Sequence, residues 1–263
     1  MAGFLFAAGS IRKIGLLLAT IFGTALVIAC GCVVNNLTDR NIDRQMRRTK
    51  KRALITGTIS PKNAALFAAA LGLGGFILLS LYTNWVVVVI GVIGLLDYTV
   101  LYAVSKRRWV SSTLIGSISG AAPIAAGYCA ASGRFDLAAA ILFLMMTFWQ
   151  MPHFYAIALF RSKDYSSAGL PVLPLIRGEN AAKKQLLVYC VLFLLSAISL
   201  HVFADAGYLY LLVMLVLGIW WIAVGVRRAG TLTSEKWGLE MFKASLWVMI
   251  ALSGAVSFAR ILP

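Results

Sequence analysis

The chain has 263 residues, 61% of them apolar and only 13% charged, and its mean hydropathy is +0.89. Soluble domains carry about 25% charged and roughly 45–50% apolar residues. The composition therefore excludes a soluble enzyme, a disordered protein and a nucleic-acid-binding domain, and it predicts an all-α, polytopic transmembrane helical bundle. The formal net charge of +15 comes from 24 Lys and Arg against 9 Asp and Glu. In a membrane protein such an excess orients the loops, and it leaves a basic face able to collect an anionic substrate.

In chain order, residues 1–9 form an apolar stub too short to span a bilayer. The stub has no basic n-region, so it is expected to be the tail of a further helix rather than a signal peptide. Eight full spans follow, over 14–36, 63–83, 85–104, 112–131, 138–160, 185–203, 208–226 and 244–262. At about 1.5 Å per residue each can cross ~30 Å of hydrocarbon. Of the 24 basic residues, 20 fall in the loops 37–62, 105–111, 161–184 and 227–243. The opposite turns and the C-terminus hold only Arg12, Lys13, Arg134 and Arg260. The basic side is expected to be cytoplasmic by the positive-inside rule. Loops 37–62 and 161–184 are the long ones, and long loops in compact proteins tend to carry function. They lie four spans apart, which hints at an internal repeat. Cys30, Cys32, Cys129 and Cys190 all sit in apolar stretches and form neither a disulfide framework nor a metal motif. Cys30 and Cys32 are expected to be small helix-packing residues.

Three constellations carry chemistry. At the end of the first span Asn35, Asp39 and Asp43 are spaced i, i+4, i+8, which places them on one helix face. Two carboxylates and an amide oxygen are hard ligands suited to Mg²⁺ together with substrate phosphates. Arg47, Arg48, Lys50, Lys51 and Arg52 follow and can grip phosphate oxygens. The bland alternative is a charged helix end with pairs such as Asn41–Gln45 and Asp43–Arg47. The second constellation is Trp149-Gln150-Met151-Pro152-His153-Phe154-Tyr155, leading to Arg161, Lys163, Asp164 and Tyr165. Pro152 is expected to kink the span beside His153. An ionisable side chain inside a span points to function, and the alternative is a packed, hydrogen-bonded histidine. The Gly/Pro-punctuated stretch 168–174 is expected to be ordered but not helical. The third is Tyr102 with Lys106, Arg107 and Arg108, either a phosphate grip or a positive-inside stop. Gly116 and Gly120 suggest close helix packing, and Asp97 is an acid within a span that needs a partner.

These features describe an anion site at a membrane mouth above an apolar cavity, a shape that fits a diphosphate head on a hydrocarbon tail. Neutralising a departing diphosphate lets an allylic C–O bond ionise, and a dry cavity protects the carbocation. The N-x-x-x-D-x-x-x-D run at Asn35–Asp43 resembles the first signature of the UbiA-type intramembrane prenyltransferases. Asp39-Arg40-Asn41-Ile42-Asp43-Arg44, Lys106-Arg107, Gly120-Ala121-Ala122-Pro123, the Trp149–Phe154 block, Asp164-Tyr165 and Gly169-Leu170-Pro171-Val172-Leu173-Pro174 resemble its protohaem IX farnesylating branch.

The resemblance implies nine helices around a central cavity open to the cytoplasmic side, in a single domain over 1–263 of a bacterial inner membrane protein. It implies a Mg²⁺-dependent transfer of farnesyl from farnesyl diphosphate to the 2-vinyl group of haem b. The product would be haem O, used by terminal oxidases or passed to haem A synthase. The lipid bilayer is the surrounding partner, and no nucleic acid is expected. The implied catalytic residues are Asn35, Asp39, Asp43 and Asp164, with Asp39, Asp43 and Asp164 on the metal. Arg40, Arg44, Arg48, Lys51, Arg52, Lys106, Arg107, Arg161 and Lys163 would hold the diphosphate, and Trp149, His153 and Tyr165 the haem. Three departures from the family pattern stand out. Asp164 is followed at the fourth place by Ala168, so the second motif keeps one acid, and Leu101-Tyr102 replaces the usual Tyr-Thr. The first part of the N-terminal helix is also expected to be absent. A quinone or another tetrapyrrole as acceptor, or a non-enzymatic haem-handling or transport role, are the competing readings.

Overall fold

The structure, a computed structural model, describes residues 1–9 and 13–260. Arg12, and the final positions of the span expected over 244–262, lie outside the described residues. Every regular element among the described residues is helical: α1 Ala2–Ala8, α2 Ile14–Thr38, α3 Arg40–Gln45, α4 Ala53–Thr56, α5 Pro61–Tyr82, α6 Trp85–Leu96, α7 Tyr102–Ser105, α8 Ser112–Ser132, α9 Leu137–Phe160, α10 Ser162–Ser167, α11 Leu173–Ile176, α12 Glu179–Ala204, α13 Tyr208–Arg228 and α14 Ser234–Phe258. A π-helical turn, Asp97–Leu101, joins α6 to α7. Eight helices are long and apolar enough to cross a membrane, α6 and α7 counting as one over Trp85–Ser105.

The helix starts follow from local chemistry. Ser60, Asn84 and Asp136 each accept the backbone N–H three residues on, at 3.2 Å in every case. Each thereby satisfies a donor that the first helical turn leaves free. Two spans are longer than hydropathy suggests. The one expected at 185–203 begins at Glu179, and the one expected at 244–262 begins at Ser234. Their opening two to three turns carry charge (Glu179, Lys183 and Lys184 on α12; Glu235, Lys236, Glu240 and Lys243 on α14), so an apolar window starts late. The helix nevertheless forms there, because Arg228 on α13 pairs with Glu240 at 2.5 Å and Thr233 caps α14.

Helix α9 is central and packs against α8, α12 and α14, while α2 packs on α5 and α13 on both α12 and α14. Small residues make the close contacts on α8, where Ala121, Ala125 and Cys129 are fully buried. Lipid tails are as apolar as the interior, so the outward faces stay apolar and steric fit selects the inward ones. The N-terminal stub is a short helix, α1, wedged between α8 and α14 with Phe4 and Phe6 completely buried. Helix α9 runs unbroken through Pro152, which lies inside it and is buried. The stretch 168–174 departs from expectation at one end: Leu173–Ile176 forms a helical turn with Pro174 in its first positions, where a missing N–H costs nothing.

Candidate active site

The α2 helix ends at Thr38, and the chain hands over to α3 at Asp39, whose φ and ψ are −92° and 7°. The i+4 register survives this break. Asp39 N–H donates to Asn35 O at 2.9 Å and Asp43 N–H to Asp39 O at 2.8 Å. Asn35, Asp39 and Asp43 therefore stay in line, as their spacing predicts. Both carboxylates are buried, Asp39 at 7% exposed and Asp43 at 3%.

Buried carboxylates need compensation, and it comes from distant parts of the chain. Lys106 Nζ donates to Asn35 Oδ1 at 2.6 Å and to Asp39 Oδ2 at 2.5 Å. Arg107 donates to Thr38 O at 2.7 Å and to Asp39 Oδ1 at 3.3 Å. Arg52 donates to Asp43 Oδ2 at 2.6 Å, and Thr49 Oγ1 to Asp43 O at 3.0 Å, closing the loop after α3 over the acid. The local pair Asp43–Arg47 suggested by spacing gives way to Asp43–Arg52. Burial lowers the Lys106 ammonium below the ordinary lysine value, and Asp39 works against that shift. Arg40 has a buried Nε without a partner among the described residues. Arg44, Arg48 and Lys51 are exposed.

The π-helical turn orients the third constellation. Tyr102 N–H reaches back to Asp97 O, five residues earlier, and single π turns of this kind gather at functional sites. Tyr98 and Tyr102 then stack with centroids 5.8 Å apart, and Lys106 Nζ lies 5.1 Å from the Tyr102 ring centre. Tyr98 also lines an apolar cavity of about 350 Å³, together with Gly31, Cys32, Gly116, Gly120, Pro123, Gln150 and Phe154. A stack of aromatic rings thus connects the cavity to the carboxylate cluster. Gly116 and Gly120 line the cavity and give the close helix packing that their spacing suggests. A Cβ at Gly116 would lie 2.7 Å from the Tyr102 ring, and one at Gly120 would overlap Gln150 Oε1. Cys30 is buried in packing as expected, but Cys32 is exposed and faces the cavity. Asp97 is 2% exposed, accepts Ser119 N–H at 3.0 Å through Oδ2 and leaves Oδ1 unpartnered among the described residues.

The second constellation divides. Its loop faces the first: Ser167 Oγ donates to Gln45 O at 3.3 Å. Burial raises the Tyr165 phenol, while Arg48 and Arg161 nearby oppose the rise. Tyr165 therefore sits within the field of Arg48 and Arg161. Asp164 pairs with Arg161 at 3.6 Å, and Lys163 is exposed. Among the described residues no three His, Cys, Asp or Glu side chains are clustered closely enough to hold a metal ion. Asp39, Asp43 and Asp164 thus do not form a ready-made three-carboxylate nest. Trp149 and His153 turn toward α14. His153 Nδ1 lies 2.8 Å from Ser245 Oγ, Trp149 Nε1 donates to Ser245 O at 3.0 Å, and the two rings stack at 4.9 Å. Their neighbours Gln150 and Phe154 are the ones that face the cavity. Sequence reasoning did not single out Tyr98, Cys32 or Thr49 as candidates, and it read Gln150 only as part of the Trp149–Tyr155 block. Only the i+4 stripe Tyr98–Tyr102–Lys106 left a legible signal.

Comparison with known proteins identifies the family and the fold. Residues 1–247 match the profile of the UbiA prenyltransferase family. A protein named protoheme IX farnesyltransferase from Protochlamydia amoebophila (strain UWE25) is 43% identical over 258 residues, covering 98% of this chain and 91% of that protein. One of the same name from Edwardsiella ictaluri (strain 93-146) is also 43% identical, covering 98% and 87%. Among solved structures, a digeranylgeranylglyceryl phosphate synthase superposes with a TM-score of 0.80 at 22% identity, over 99% of this chain and 91% of that one. A UbiA homologue from Archaeoglobus fulgidus bound to GPP and Mg²⁺ superposes at 0.70 with 17% identity, over 97% and 92%. This chain belongs to the UbiA prenyltransferase family.

Proposed function

We infer that the protein farnesylates haem b, with farnesyl diphosphate as donor and haem O as product. The observation that carries the reading is two buried carboxylates, held by Lys106, Arg107 and Arg52, connected through Tyr102 and Tyr98 to an apolar cavity. The choice of haem as acceptor is supported by the two relatives above, which bear that activity in their names. The basic end, on this reading, faces the cytoplasm of a bacterial inner membrane.

The donor types suit magnesium: Asp39 and Asp43 offer two carboxylates and Asn35 an amide oxygen in line, and Asp164 would join them only by leaving its pair with Arg161. The homologue solved with GPP and Mg²⁺ supports the same chemistry. Magnesium, when bound, would neutralise charge on the diphosphate. The chain's own residues do the rest. Lys106, Arg107 and Arg52 exchange their carboxylate partners for phosphate oxygens, with Arg40, Arg44, Arg48, Lys51, Arg161 and Lys163 around them. The C1–O bond of the farnesyl group breaks, and its electron pair leaves with the diphosphate. The vinyl carbon of the acceptor bonds to C1. Water then adds to the neighbouring carbon and releases a proton, so the product gains farnesyl plus a hydroxyl. Tyr98, Phe154 and the cavity's aliphatic wall exclude water from the first step. His153 Nδ1 is engaged by Ser245, leaving Nε2 without a protein partner among the described residues. That supports a role for Nε2 in anchoring the haem, with Trp149 stacked behind it and Tyr165 at the mouth.

The test uses purified chain in detergent with haem b, farnesyl diphosphate and Mg²⁺, with and without chelator, and mass spectrometry of the extracted haem. A haem heavier by farnesyl plus water, lost with chelator and lost in Asp39→Ala, is expected. Unmodified haem, in parallel with a prenylated product when a quinone acceptor is added in place of haem b, would refute the acceptor. Full turnover in chelator would refute the magnesium role.

A further inference from the structure

A second pocket, of about 360 Å³, opens at the basic end on another face of α8 and α9. Tyr155 lies one residue beyond Phe154 of the first cavity, but it points into this one. Helices α8 and α12 both pack on α9, so α9 forms the floor of a groove between them. Six polar side chains line the pocket: Arg108, Ser111, Tyr155, Arg177, Gln185 and Tyr189. None of the six has a side-chain hydrogen-bond or ion-pair partner among the described residues. The contrast with the prenyl site is sharp, since Arg52 and Arg107 there both hold carboxylates.

Tyr155 makes the case specific. The residue is only 3% exposed, has no side-chain partner among the described residues and lines the pocket, so the donor capacity of its hydroxyl is open to a ligand there. Arg108 and Arg177 line the same pocket with no acid beside them. A ligand oxygen group would engage all three. Guanidinium forks match phosphate, and a phenol, an amide and a hydroxyl add neutral donors. Toward the middle of the bundle the groove turns apolar. Phe148 lies 6.2 Å from the Tyr189 ring, and the flanking Leu114, Ile118, Val188 and Leu195 are 36–56% exposed. Trp109, 54% exposed, stands at the lip, where indoles favour the membrane interface.

We propose that this pocket binds a phosphate-headed amphiphile, its head between Arg108 and Arg177 against Tyr155 and its tail along the α8–α12 groove. The site is separate from the carboxylate cluster and does not depend on the acceptor assigned above. Two sources share this chemistry: an anionic phospholipid of the bilayer and a second molecule of prenyl diphosphate.

The experiment is native mass spectrometry of the delipidated full chain, titrated with phosphatidylglycerol, phosphatidylcholine and the non-ionising farnesyl thiolodiphosphate. Wild type, R108A/R177A and Y155F are compared. Removing two charge-assisted contacts should weaken anion binding roughly tenfold or more, and removing one neutral donor by about threefold. Preference for phosphatidylglycerol over phosphatidylcholine that disappears in R108A/R177A assigns the membrane lipid. A second equivalent of thiolodiphosphate that disappears in R108A/R177A, leaving one, assigns the prenyl diphosphate. Equal binding of both anions by wild type and Y155F overturns the proposal, and Y155F keeps that outcome available if the double variant fails to fold.

Discussion

Replacing Lys106 by Met tests the site's electrostatics most directly. The ammonium holds Asn35 at 2.6 Å and Asp39 at 2.5 Å, and both charged side chains of the pair are only 10% exposed. Truncating one partner of such a pair strands the other charge, a loss of about 3–5 kcal/mol. Arg107 remains 3.3 Å from Asp39 and is 46% exposed, so it compensates weakly and the lower end of that range is expected. An apparent melting temperature lower by on the order of 10 °C follows. The double variant K106M/D39N removes both charges and should recover much of that stability. It should not recover activity, because a donor aimed at developing negative charge is worth about 10²–10³ in kcat. Titration gives a second handle. Burial holds the folded-state Lys106 pKa below the ordinary 10.5. Between the two values the unfolded chain binds more protons, so this group makes the protein more stable as pH rises through the window. Its unfavourable contribution is fully present at lower pH. Activity moves the other way, since a neutral amine no longer attracts phosphate. The alkaline limb of kcat/KM, which reports the free enzyme, should therefore begin below 10.5 and be absent in Lys106→Arg. Thermal unfolding in detergent and haem-product mass spectrometry across pH measure both. A K106M chain with wild-type melting temperature and wild-type kcat would refute the reasoning.

Gly120→Ala should force Gln150 out of place, since the added methyl overlaps its Oε1. Loss of Gln150's bonds to Ser117 O and Met146 O at 3.2 and 3.1 Å should cost about 1–3 kcal/mol, read as a lower melting temperature, with Gly120→Ser no better. A small neutral thiol reagent should modify Cys32, which faces the cavity, before the buried Cys30, Cys129 and Cys190. Farnesyl thiolodiphosphate should protect it, and peptide mapping that finds equal labelling of all four would contradict the assignment of the cavity. Glu240→Gln breaks the pair with Arg228, whose side chain is 53% exposed. Solvent screening limits such pairs to about 0–1 kcal/mol, so the melting temperature and the turnover should stay near wild type. A shift as large as that of K106M would show that the end of α13 is coupled to the site.

The sequence by itself determined a good deal about this protein. Hydropathy sets eight spans, because the bilayer demands a continuous apolar run wherever the backbone crosses it. The i, i+4, i+8 spacing of Asn35, Asp39 and Asp43 brings them into line, because helical geometry is local and survives even the break at Asp39. The run of cations after them signals anion binding, because so few acids are available to answer it. Tertiary structure alone decided the partners. Asp39 is held by Lys106, 67 positions away, and Asp43 by Arg52 rather than by Arg47. Nothing in local spacing encodes which cation reaches a buried carboxylate. The charged opening turns of α12 and α14 are helical against their hydropathy: Lys183 of α12 reaches Ala229 O at 3.4 Å, Arg228 pairs with Glu240 of α14, and Thr233 caps the start of α14. The roles of the small and apolar residues were also invisible. Gly120 yields space to Gln150, Cys32 looks into the cavity, and Trp149 and His153 turn to Ser245 while Gln150 and Phe154 line the cavity wall. In a membrane both faces of a helix are apolar, so periodicity carries little information about which face looks inward, and the choice falls to the packing of the whole bundle.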